Sequence, residues 1–108
     1  MLIAVAGSYT ADTEEQMHKN LDAMNDACAK VYEKRHIPVV GVNNTLPIVF
    51  RLENADIKTD IMNISLAMVE RCDAILLIGA SPGALQERDL ILSKGLPVFY
   101  SIEEIPDF

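Results

Sequence analysis

The sequence predicts a three-layer α/β domain on a parallel sheet of four or five strands in the order 2-1-3-4. Three observations carry this reading. Short apolar runs alternate with longer stripes of helical period, as in βαβ units. The runs are apolar throughout instead of alternating, the pattern of strands covered on both faces. Helix-start and helix-stop residues separate the two kinds of segment.

Leu2 to Ala6 is the first such run, closed by Gly7. Thr13 or Asp12 suits the cap of a helix whose first turn carries Glu14 and Glu15, favourable charges at its positive end. Met17, Leu21, Met24, Cys28 and Val31 then recur at three and four, and Lys34, Arg35 and His36 place basic groups at the other end. Ile37 to Val42 reads as the second strand, with Pro38 at its start. A second stripe, from Ile57 or Asp60, uses Ile61, Ile64, Met68 and Cys72. Ala74 to Ile78 is the most apolar run and is expected at the centre of the sheet. Ser81 caps a further helix with Pro82 at the favoured first position, and Gly95 ends it before a strand over Pro97 to Tyr100. Ser101 to Ile105 adds a final turn. The segment Asn43 to Asn54 is compatible with an extra strand, a lid or a dimer contact. The whole reads as one Rossmann-like (flavodoxin-like) domain over residues 1–108.

Composition narrows the function classes. The chain has 108 residues, 50% hydrophobic and only 6% aromatic, so one aliphatic core is expected. A net charge of −7 disfavours nucleic acid, whose binding draws on Lys and Arg displacing counterions. No apolar run approaches the roughly 18 residues of a spanning helix. No basic residue precedes Lys19, so no secretory signal is read and a cytoplasmic location is expected. Cys28 and Cys72 have neither CxxC nor His spacing and read as reduced core thiols on helix stripes. No metal is expected. Met17, Met24 and Met68 read as core packing, and His18, Asn20 and His36 as helix-surface or helix-end residues.

Chain order locates the site. With right-handed crossovers, the second strand lies on one side of the first and the third on the other. A crevice then opens at their carboxyl ends, where open α/β sheets bind ligands. It is bordered by Gly7-Ser8-Tyr9-Thr10-Ala11-Asp12 and by Gly79-Ala80-Ser81-Pro82-Gly83. The second loop opens a helix, whose free N–H groups and dipole favour an anion. Neither loop carries Lys or Arg, and neither phosphate-loop nor dinucleotide glycine spacing is present, which points away from triphosphates and dinucleotides. Glu87 follows Gly83 by about one turn, so its side chain leans back toward the crevice.

Ile-Ala-Val-Ala-Gly-Ser-Tyr-Thr, Arg-Cys-Asp-Ala-Ile-Leu-Leu, Ser-Pro-Gly-Ala-Leu-Gln-Glu and Gly-Leu-Pro-Val together resemble the nucleoside 2-deoxyribosyltransferase superfamily, which includes nucleotide N-glycoside hydrolases. The likeness covers most of the chain outside roughly residues 43–59. It implies cleavage or transfer at the bond between a base and a (deoxy)ribose, in a nucleoside or nucleoside 5′-monophosphate, without a cofactor. By that resemblance Glu87 is the nucleophile, Tyr9 orients the sugar or Glu87, and Ser8, Ser81 and Gly83 cradle a 5′-phosphate or hydroxyl; Gly7, Ser65, Gly79 and Pro82 complete the expected substrate-binding set. Where hydrolase relatives carry an Asp eight residues before the Asp of the Cys-Asp pair, this chain has Ser65, on the inward stripe. Asp56, Asp60 and Asp73 are the candidates to replace that acid. Relatives also carry a Pro at the position of Ser8 and a Trp shortly before the Ser-x-Gly-Ala motif, absent here. A non-catalytic nucleotide sensor on the same fold is the alternative. Arg88, on the apolar arc of its helix, needs a partner, and a homodimer or higher homo-oligomer would supply one.

Overall fold

In the computed structural model, which describes residues 1–108, four parallel strands pair in the order β2-β1-β3-β4. The strands are β1 (Leu2–Ala6), β2 (Ile37–Val39), β3 (Ala74–Leu77) and β4 (Val98–Phe99). The helices are α1 (Glu14–Glu33), α2 (Gly41–Val49), α3 (Ile57–Val69) and α4 (Pro82–Ser93), and a short 3-10 turn covers Ile102–Glu104. This is the α/β, Rossmann-like arrangement the sequence predicts, with four strands. No helix is long and apolar enough to cross a membrane.

The two-residue period of the central strands divides the core in two. Ile3 pairs with Ala74 and Val5 with Leu76, and these four pack with Met24, Ala27 and Val31 of α1 on one face. Ala4 and Ala6, opposite Ile75 and Leu77, pack with Val69 and with Ala84 and Ile91 of α4 on the other. Every residue of β3 is buried, as expected of the most apolar run in the chain.

The caps fall where local chemistry places them. Thr13 Oγ1 accepts from the Gln16 N–H at 3.1 Å, and Ser81 Oγ from the Ala84 N–H at 3.2 Å. Both long joints end in the same reversal: the His36 N–H donates to the Val31 carbonyl and the Leu96 N–H to the Ile91 carbonyl. The left-handed residue is Gly95 (φ 71°) in one and Arg35 (φ 69°) in the other.

Several expectations are corrected. The second strand ends at Val39, not Val42, because the chain turns at Val40 and Gly41 into α2. Residues 43–49, open between strand, lid and contact, are helix: Val42, Thr45 and Val49 form its buried stripe, and Pro47 is carried inside it. The third strand stops at Leu77 and the fourth covers only Val98–Phe99. On α3 the buried residues are Ile61, Ser65 and Val69, whereas Ile64 and Met68 are half-buried. Cys72 is buried in the turn after α3, off the helix, and Cys28 is half-buried on α1; both are free thiols pushed up to about 11 by burial. His36 stands at the end of α1, one of its two expected places, but is buried at 2% exposure, bridging the Met1 amino group (2.8 Å) and the Pro106 carbonyl (2.6 Å).

Helix α2 rests on α3 with unusual closeness at one point. A Cβ on residue 41 would overlap the Ser65 hydroxyl and lie 2.8 Å from Ser65 Cα, so only glycine fits. Gly41→Ala is expected to destabilise the protein by about 2 kcal/mol despite alanine's better helix propensity, because backbone stands in the way. Urea unfolding of the variant beside the parent measures this.

Candidate functional site

Where β1 and β3 end, their chains part to opposite faces of the sheet, and the crevice so opened is a cleft of about 230 Å³. Its floor is Val5 and Ala6, running into Gly7, Tyr9 and Thr10. One wall is the start of α2 (Gly41, Val42) with Lys58, Ile61, Met62 and Ser65 of α3; the other is α4, through Ser81, Pro82, Gly83, Ala84 and Glu87. The two sequence-predicted loops do abut: a Cβ on Gly79 would lie 3.1 Å from the Ser8 nitrogen.

Of the predicted site residues, Glu87, Tyr9, Gly7, Ser65, Ser81, Pro82 and Gly83 line this cleft. Ser8 and Gly79 do not. They border a smaller depression behind the β1 loop, with Asn20 and Ile78.

Tyr9 is half-buried against the α1-side core, and its carbonyl accepts from Asn20 Nδ2 at 3.0 Å, which ties the loop to α1. At the opposite wall, α4 lies close enough to α3 that a Cβ on Gly83 would meet Met62 Sδ at 2.8 Å. Glu87 therefore looks past Gly83 into the cleft, half-buried among apolar neighbours. Burial pushes its carboxyl up from the ordinary 4.5 to about 7. It is the only carboxylate lining the cleft.

None of the three candidate replacement acids reaches the site. Asp56 Oδ1 caps α3 by accepting the Thr59 N–H at 3.3 Å, and Asp60 Oδ2 accepts the Asp56 N–H at 3.1 Å. Asp73 accepts the Leu2 N–H at 2.8 Å, at the amino end of the strands. Arg88 finds its partner inside the chain: its Nη2 lies 2.9 Å from Asp89 Oδ1, so it does not call for a second subunit. Nor does any group of three His, Cys, Asp or Glu side chains assemble that could hold a metal.

Sequence reasoning missed Lys58, Met62 and the start of α2. Lys58 carried a signal, standing three residues before Ile61 and seven before Ser65 on the inward stripe. Comparisons with family models, with curated proteins and with solved structures give no match to this chain.

The elevated Glu87 carboxyl has a measurable consequence for stability. A carboxyl that is harder to ionise in the folded state than in the unfolded one holds its proton longer on folding. Stability is then full below 4.5 and falls as the pH rises to about 7. Between roughly pH 4 and pH 8, Glu87→Gln should gain about 2 kcal/mol relative to the parent, as read by denaturant unfolding at each pH; no relative gain would show that the carboxyl is well hydrated.

Proposed function

We propose that this protein cleaves or transfers the N-glycosidic bond of a nucleoside or nucleoside 5′-monophosphate, with Glu87 as the nucleophile. The observation that carries the reading is the placement of Glu87: one half-buried carboxyl, on the wall of a cleft at the carboxyl ends of β1 and β3 that Tyr9 also lines. The likeness of the Ile-Ala-Val-Ala-Gly-Ser-Tyr-Thr and Ser-Pro-Gly-Ala-Leu-Gln-Glu segments to the nucleoside 2-deoxyribosyltransferase superfamily supports the same reading.

The chemistry follows from the group's surroundings. Departure of a base leaves positive charge on the anomeric carbon and ring oxygen, which a fixed carboxylate stabilises or captures. Ionised Glu87 forms a bond to that carbon while the carbon–nitrogen pair leaves with the base, which takes up a proton from water. A poorly hydrated carboxylate is the more reactive for having few water hydrogen bonds to shed. The glycosyl ester is then opened by an incoming nucleophile. Glycosidases that use water employ a second carboxyl group to activate it. Here Glu87 is the sole carboxylate of the cleft, so a second base, itself a good nitrogen nucleophile, suits the second step better than water does. Lining by Ile61, Met62 and Ala84 also limits access of water.

The rival reading, a nucleotide-binding protein without turnover, draws on Ser65 standing where relatives carry an acid. Incubation of ribo- and deoxyribonucleosides and their monophosphates, with and without a second base, separates the two. The expected result is base release or exchange that rises with pH through about 7 as Glu87 ionises. Glu87→Gln should lower it by roughly a thousandfold. Binding without release across the set would establish the rival, and release unaffected by Glu87→Gln would remove Glu87 from the mechanism.

A further inference from the structure

We propose that the corner of the cleft formed by the first turn of α2, Ser65 and Lys58 is a phosphate-binding subsite, and that it, rather than the Ser81 loop, receives the phosphate of a sugar phosphate. The identity of the ligand as a sugar phosphate rests on the N-glycosidic reading; the anion site itself does not.

Two helices begin at this cleft, and they differ in how their first turns are served. In α4 the anion-binding capacity is largely used up: Pro82 has no N–H, and the Ala84 N–H is already held by Ser81 Oγ. In α2 the capping residue is Val40, whose side chain offers no acceptor; the Asn43 N–H donates to the Val40 carbonyl at 3.2 Å, which leaves the Gly41 and Val42 N–H groups without a partner in the chain. The positive end of this nine-residue helix thus opens on the cleft through Gly41 and Val42.

Ser65 supplies the second, independent observation. It is 2% exposed and lines the cleft with its hydroxyl against Gly41; no fully enclosed side-chain polar atom of the protein lacks a partner, so this hydroxyl, which makes no bond within the chain, keeps its access to the cleft. A buried hydroxyl is normally bonded, so one left open toward a cavity is matched to a polar atom that enters it. Lys58 completes the set from two turns earlier on the same face of α3. It is the one basic residue lining the cleft, and no carboxylate lies within 4.0 Å of its ammonium. In a chain of net charge −7, an unpaired ammonium at the mouth of a cleft is a local reversal of the prevailing field. Helix terminus, hydroxyl donor and ammonium together match the oxygens of a phosphate monoester. A phosphate held there lies on the wall opposite Glu87, so that a sugar spans the cleft between the two.

The test is titration of the intact, isotopically labelled protein with 2-deoxyribose 5-phosphate and, separately, with 2-deoxyribose, followed by amide NMR and calorimetry. The phosphorylated sugar should bind at least about tenfold more tightly, shifting the amides of Gly41, Val42 and Ser65 most. Lys58→Gln, at an exposed position that leaves the fold intact, should weaken it about tenfold, and Ser65→Ala should weaken it also. Shifts centred on Gly83 and Ala84, equal affinity for the two sugars, or a Lys58→Gln variant that binds as the parent does would each overturn the subsite. Binding with the expected shifts but no base release from any nucleoside or monophosphate would uphold the subsite and end the N-glycosidic reading. Base release from unphosphorylated nucleosides, together with indifference to Lys58→Gln, would do the reverse.

Discussion

The pairing of β1 with β3 on one side and with β2 on the other is the constraint on which the site depends. The last rung of the central ladder joins Ala6 to Leu77, and the Ile78 N–H closes it on the Ala6 carbonyl at 2.8 Å. Beyond that rung the two chains have no further strand to pair with and must leave the sheet for helices on opposite faces, since β2 and β3 lie on opposite sides of β1. The gap between them is floored by strand residues that are apolar because both faces of the sheet are covered. A carboxyl brought to that gap is partly withdrawn from water. The unusual acidity of Glu87 is therefore a consequence of topology, without any charged neighbour being needed to produce it.

Much of this was readable in the sequence because the signals were local. The runs at Leu2–Ala6 and Ala74–Leu77, the caps at Thr13 and Ser81, and the spacing from Gly83 to Glu87 each express a rule that acts within one or two turns of chain. Strand order followed from handedness alone. Helix α2 was not readable on the same terms. Gly41, the two asparagines, Thr45 and Pro47 all disfavour a helix, and the local preference is overridden by packing against α3, where Gly41 admits Ser65. Its period, in Val42, Thr45 and Val49, was present but is short enough to be mistaken for a buried strand. The placement of Ser8 and Gly79 in the smaller depression was likewise invisible, since local patterns do not report how loops distant in sequence pack together.

The chemistry of the cleft is set by how few polar groups it contains. The three acids that could have joined Glu87 are committed to structure: Asp56 and Asp60 hold the start of α3, and Asp73 accepts the Leu2 N–H. The charged groups that remain are one carboxyl on the α4 wall and one ammonium on the α3 wall, with the hydroxyls of Tyr9, Thr10, Ser65 and Ser81 around them. Opposed charges of this kind favour a ligand with an electrophilic or cationic centre at one end and an anion at the other, which is the polarity of a glycosyl group bearing a phosphate as its bond to a base breaks. The cleft is somewhat smaller than the roughly 300 Å³ at which drug-sized sites begin, which suits a sugar held inside with the base toward the mouth.

The state of the Glu87 carboxyl in the free protein decides whether the cleft can act in this way. Its titration is followed by NMR of the side-chain carboxyl carbon, assigned by loss of the resonance in Glu87→Gln. A midpoint close to 7 is the expected result, and a midpoint near the ordinary 4.5 would place the group in water and contradict the central claim.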